Sequence, residues 1–170
     1  MYLQQDILSS VSAFFNNAKD VKAAVQKAID ENADLKKQVE AAVRERVGQL
    51  KGRFIESAKE VDGVKVIAQV LPMDVEAGAV KDLAFQVSGQ LPENTFLVLG
   101  SKHDDKPLLT VMVSKDLIAS RQLHAGNLVK EAARLIQGGG GGAPHFATAG
   151  GKNTAGLDEA VAKVLELAGF

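Results

Sequence analysis

The chain has 170 residues, 46% of them hydrophobic, and sets 20 Lys and Arg against 21 Asp and Glu for a formal net charge of −1. That length suits one compact domain with an extension, and the charge balance excludes a global field drawing the protein onto nucleic acid or membrane, so any basic footprint must be local. The absence of cysteine excludes disulfides, thiol catalysis and thiolate metal sites together, and neither a basic-then-apolar leader nor an apolar run of the ~20 residues that span a bilayer is present, so a soluble, cytoplasmic protein without membrane contact is expected.

Residues 1–60 contain no proline and only Gly48 and Gly52 as glycines, in a background of Ala, Lys, Glu, Gln and Val. Such composition predicts helix. Leu3 to Phe15 carries its own apolar stripe, "NNAKD" offers a turn, and from Val21 to Phe54 apolar or tolerated residues recur in steps of three or four. Residues 1–60 therefore read as a helical hairpin or an extended helix preceding a separate domain. Between Lys36 and Lys59 seven basic residues face three acidic ones, Glu40, Glu45 and Glu56. This locally basic stretch, with Lys51 and Arg53 as its candidate contacts, is open to two readings: a solvated helix face or a stripe for an RNA backbone.

Residues 61–170 change character. "VKVIAQVL" (Val64 to Leu71) predicts a strand ended by Pro72, and Asp74 to Gln90 has helical spacing. "NTFLVLGS" and "PLLTVMVS" predict two strands joined as a hairpin through "KHDDK". A helix is expected from Ala125 to Gln137, then five glycines (Gly138 to Gly142), and a last amphipathic helix from Leu157 to Ala168. The whole predicts an α/β globular domain with a mixed sheet.

Each glycine in regular structure forfeits roughly 0.5–1 kcal/mol relative to alanine, so the run is expected outside helix and strand. It is not a Walker loop, because Asn153 follows Lys152 where Ser or Thr is needed, and a dinucleotide fingerprint fails because the run follows a helix instead of opening one. "HDD" (His103 to Asp105) reads as a polar turn, with no metal site expected, and no nucleophile motif supports catalysis. Two readings remain. Main-chain amides of Gly139, Gly140, Gly141 and Gly142, flanked by Lys130, Arg134, Pro144, His145 and Lys152, could face an anion; or a glycine-capped helix end could lead into a tight buried crossing.

"GGGGGAPHFATAGG" (Gly138 to Gly151), preceded by "TVMVSKDLI" and "HAGNLVKEAARLI" and followed by a short terminal helix, resembles the C-terminal domain of bacterial alanyl-tRNA synthetases, a member of the DHH-associated class. The resemblance covers residues 61–170 closely, and residues 1–60 look like the segment joining that domain to the editing domain. In the family's glycine signature a basic residue stands at the position of Gly139, an arginine at Ala143 and an acid at His145, whereas Gly140, Gly141, Gly142, Pro144, Ala147, Gly150 and Gly151 match it. The resemblance implies a tRNA-binding appendage that helps aminoacylation and editing act on the same tRNA. Its implied partners are alanine-specific tRNA, the remainder of the synthetase and a homodimer through the helical region. No cofactor is implied for this fragment, ATP, magnesium and zinc belonging to the full-length synthetase. The competing expectations are a structural or oligomerisation module and a phosphodiesterase remnant, the latter without any Asp-His-His metal motif.

Overall fold

The structure is a computed structural model and describes residues 2–170. The chain divides into two compact units, Met1–Arg44 and Glu45–Phe170. In the first, α1 (Tyr2–Phe14) ends at a turn in which Asn16 and Asn17 take the left-handed conformation, with φ of 54° and 56°. Helix α2 (Val21–Glu56) begins where Asp20 Oδ1 accepts the Ala23 N–H at 3.0 Å, the side-chain cap that the first free amides of a helix need. Residues 1–60 are helical as expected, a first helix and a turn at Asn16 and Asn17 being followed by α2, which runs unbroken for 36 residues. The apolar stripe of α1 stays in solvent, Leu3 being 79% and Phe14 85% exposed.

The second unit takes the end of α2, where Val47, Leu50 and Phe54 are buried at helical spacing. Two strands, β1 (Lys59–Val61) and β2 (Val64–Asp74), meet across Asp62 and Gly63, both at positive φ. They are followed by α3 (Ala77–Gln90), β3 (Thr95–His103), β4 (Lys106–Val113), α4 (Lys115–Arg121), α5 (Ala125–Ala132), a 3-10 turn (Ala133–Ile136), β5 (Gly139–Gly142), β6 (Phe146–Gly150) and α6 (Leu157–Ala168). The sheet order is β1-β2-β3-β4-β6-β5. Only β2 and β3 run parallel, joined by the α3 crossover, so the sheet is mixed. Strand alternation sends Phe96, Val98, Leu109 and Val111 into one core with residues of α5 and α6, and buries Leu97, Leu99 and Met112 on the face where α3 lies.

Several local expectations are corrected. Pro72 does not end β2: the strand continues to Asp74 through an irregular register between Val70 and Asp74, a place where a missing ladder N–H is tolerated. The helix expected from Asp74 therefore starts at Ala77. The helix expected over residues 125–137 is α-helical only to Ala132 and then tightens into the 3-10 turn. The glycine run is not outside regular structure, since Gly139–Gly142 form β5, the edge strand beside β6. Strands β1 and β6 and helix α4 were not anticipated, being too short or too small-residued to carry a periodic signal.

Phe96 is fully buried, and its ring centroid lies 5.2 Å from that of Phe170. Phe96→Ala is expected to cost about 3–5 kcal/mol, the range for emptying a buried phenyl site. Denaturant titration should show a lowered midpoint at nearly constant slope.

Candidate nucleic-acid interface

The glycine strand is set by its neighbours. Val113 N–H donates to His145 O at 2.9 Å and Gly151 N–H to Pro107 O at 3.2 Å, so odd-numbered residues of β6 bond to β4. In an antiparallel ladder the even-numbered ones, Thr148 and Gly150, then bond outward to their partners Gly141 and Gly139. The N–H groups of Gly140 and Gly142 consequently point away from β6, and at Gly142 helix α5 stands on that side, where a Cβ on Gly126 would lie 2.5 Å from Gly142 O. Alternating amides in an extended strand do not converge on one anion, so the four glycine amides that the sequence offered to an anion point alternately into the sheet and away from it.

Side-chain space divides the run by parity. A Cβ on Gly140 would lie 2.2 Å from Thr148 O and one on Gly142 2.6 Å from Phe146 O, whereas Gly139 and Gly141 face open space. The tight crossing and the accessible surface therefore both exist, on alternate residues. Helix α5 closes one end: its Ala125 N–H donates to Pro144 O at 2.9 Å.

Beside the strand lies a cleft of about 490 Å³ whose lining includes His103, Lys106, Gln137, Gly138, Gly151 and Lys152. No Asp or Glu lines it among the described residues. Of the residues singled out from sequence, Lys152 lines this cleft, while Gly139, Gly140, Gly141, Gly142, Pro144 and His145 form the adjoining strand and turn. Lys130 and Arg134 are exposed on α5 and the 3-10 turn, the Arg134 guanidinium 3.6 Å from Glu131. Lys51 is half-buried and Arg53 exposed on α2, and neither lines the cleft. Two positions apart, they point to nearly opposite sides of the helix. Sequence reasoning missed Lys106 and Gln137, which reach the cleft only because the β3–β4 hairpin and the end of the 3-10 turn meet there.

At the hairpin tip Asp104 and Asp105 make the two-residue turn, both at positive φ. His103 Nδ1 lies 2.5 Å from Asp74 Oδ1, and Asp104 N–H donates to Asp74 Oδ2 at 3.1 Å. These three side chains are the group of potential metal ligands among the described residues, each bringing one ligand atom within 4.8 Å of the others. The hydrogen bond to Asp74 raises the His103 pKa above 6.5, against a smaller opposing effect of burial, with Asp104, Asp74 and Glu76 adding attraction.

The DHHA1 domain family matches residues 63–169. The chain belongs to the DHHA1 domain family. Among curated relatives, it is 57% identical to an alanine–tRNA ligase of Bacteroides fragilis and 55% identical to one of Bacteroides thetaiotaomicron, over 98% of this chain in each case. It spans 19% of the length of each. Among solved structures, the C-Ala domain of Aquifex aeolicus alanyl-tRNA synthetase shares its fold, with a TM-score of 0.59 at 24% identity over 67% of this chain and 99% of that one. The resemblance read from the glycine signature is thus borne out.

Within the DHHA1 domain, the signature's basic position falls on Gly139, one of the two open places in β5. Gly141→Val is expected to leave the melting temperature nearly unchanged, since the side chain enters open space on a strand that favours β-branching. Gly140→Ala, forced against the Thr148 carbonyl, should destabilise the fold by on the order of 2 kcal/mol or more. Paired thermal melts decide it.

Because the folded pKa of His103 is raised, its tie to Asp74 contributes most below the unfolded value near 6.5 and is lost as pH rises through the folded one. Titrating the ring by NMR should give a midpoint above 6.5, and Asp74→Asn should lower it. An equal midpoint in both proteins would show that Asp74 does not hold the ring.

Proposed function

We propose that this chain is the tRNA-binding appendage of an alanine–tRNA ligase, holding the body of the tRNA so that aminoacylation and editing act on the same molecule, with no chemistry of its own. The observation that carries the reading is the place of β5: an exposed edge with outward amides and two open side-chain positions, next to a cleft whose charged lining groups are Lys106, Lys152 and the ionisable His103. Phosphates are held by such main-chain donors and ammonium groups with little demand on base sequence. Lys130, Arg134, Lys51 and Arg53 extend the contact on the same reading. The remainder of the ligase is the chain's covalent partner, its ATP, magnesium and zinc bind elsewhere in it, and the setting is the cytoplasm. No helix among the described residues is long and apolar enough to cross a membrane, consistent with that placement.

One observation favours a second role. Leu3, Ile7, Leu8 and Phe14 of α1 and Ile29, Leu35 and Val39 of α2 are all more than half exposed. Apolar surface of that extent serves association, so the helical region is the proposed dimer contact. On the alternative reading this is the whole function, and the glycine strand is only a tight crossing.

tRNA titration at two salt concentrations separates the readings. Wild type is expected to bind at about micromolar Kd near physiological salt, as mostly non-specific phosphate contact does. Gly139→Lys should fold normally, because the position is open, and should gain about 1 kcal/mol of affinity at low salt, shrinking as salt rises. Salt-insensitive self-association without tRNA binding would favour the oligomerisation module.

A further inference from the structure

Seven phenylalanines and one tyrosine make up the aromatic content, and the described residues form two close aromatic pairs, each with a cation beside it. Phe96 and Phe170 belong to the core. The other pair lies at the surface. Phe85 on α3 is 46% exposed, and Phe146, the first residue of β6, is half-buried. Their centroids are 5.2 Å apart with ring planes inclined at 38°. Lys81, one helical turn before Phe85, places Nζ 5.9 Å from one ring centre and 5.8 Å from the other. Among the described residues Lys81 has no carboxylate within ion-pair distance.

We infer that Phe85 and Phe146, with Lys81, form a stacking platform for an unpaired or helix-end RNA base, a site distinct from the phosphate contacts of the glycine strand. The inference rests on the RNA-binding reading and deepens it. Three features select this occupant. A half-exposed phenyl backed by a second ring offers a flat apolar face, which a base of any identity can cover. The Lys81 ammonium lies over both rings, and on a flexible stem it can swing aside for a base and pair with the phosphate that every nucleotide carries a few ångströms from its base. Phe146 is also tied to the glycine strand, since its carbonyl approaches Gly142 closely and its neighbour Ala147 pairs with Gly142. A strand of RNA lying on β5 would therefore bring its next nucleotides to this face. Only side chains brought together by the α3 crossover and the β6 register make the platform, which is why no sequence motif announces it.

The chain contains no tryptophan, so Phe85→Trp introduces a single indole reporter at the platform. Its emission should be quenched by a short single-stranded oligoribonucleotide and much less by a duplex whose ends are closed with stable loops. Phe85→Ala should weaken oligonucleotide and tRNA binding about tenfold, and Phe85→Tyr should keep most of the affinity. Neither variant should alter the salt slope, because no charge is removed, whereas Lys81→Gln should lower it by about one. Melting curves confirm folding, which exposure of Phe85 makes the expected result. The inference is overturned if the indole emission ignores the oligonucleotide, or if Phe85→Ala binds it as wild type does while only self-association changes. Failure of wild type to bind tRNA while the oligonucleotide still quenches the indole would leave the platform standing and remove the tRNA reading.

Discussion

Two carbonyls at the end of the 3-10 turn organise this domain. Ile136 O accepts the N–H groups of Lys152 and Asn153 at 2.8 and 2.9 Å, and Leu135 O accepts from Asn153 Nδ2 at 3.2 Å. A helix end leaves such carbonyls without partners, and burying them unpaired would cost more than the bonds they form are worth. Here the chain returns through β5 and β6 to supply the donors itself. The approach is so close that a Cβ on Gly151 would stand 2.1 Å from Ile136 O. Helix α5, strands β5 and β6 and the start of α6 are thereby held to one point, which also forms a wall of the cleft.

How much of the molecule was legible depends on the range over which each signal acts. β3 and β4 and their hairpin could be read from β-branched runs around two aspartates, because turn chemistry is local. The long helix could be read for the same reason: thirty-six residues without proline carry a strong periodic signal. The strand made of Gly139–Gly142 could not, since glycine's intrinsic preference argues against it and only the partner β6 and the carbonyls of the 3-10 turn override that preference. Pro72 misled similarly, as the irregular register that accommodates it is a property of pairing with β3. At the site, Lys152 and the glycines were legible from their motif, whereas Lys106, Gln137, Phe85 and Phe146 depend on tertiary meetings between separate elements.

Electrostatics acts locally throughout. With a net charge of −1 the molecule has no long-range field to bring an anion in, so the arrangement of neighbours decides which cations are available. Near the cleft, Asp74 takes the His103 ring and the Asp104 amide, and Glu76 and Asp104 also stand by the same imidazole. Asp74, Glu76 and Asp104 are thus gathered around one histidine, and the cleft lining keeps Lys106 and Lys152 without a carboxylate among its described residues. The hairpin turn, read from sequence as a polar turn, therefore also segregates charge.

The parity of β5 explains why position 139 of the signature is free to differ while Gly140 and Gly142 beside it are not. Gly140 and Gly142 are held to glycine by backbone of the neighbouring strand, so their identity is a condition of folding. Gly139 and Gly141 meet nothing, and packing does not choose their side chains. A family-typical basic residue at position 139 and the glycine found here are equally compatible with the fold, and only what lies outside the strand can distinguish them. The departure at position 139 thus falls where the fold is indifferent, which makes it a change in charge presented by the edge and not a change in the edge itself. The outward amide of Gly140, the cleft lined by Lys106 and Lys152 and the pair Phe85 and Phe146 are positioned by other contacts, whatever stands at position 139.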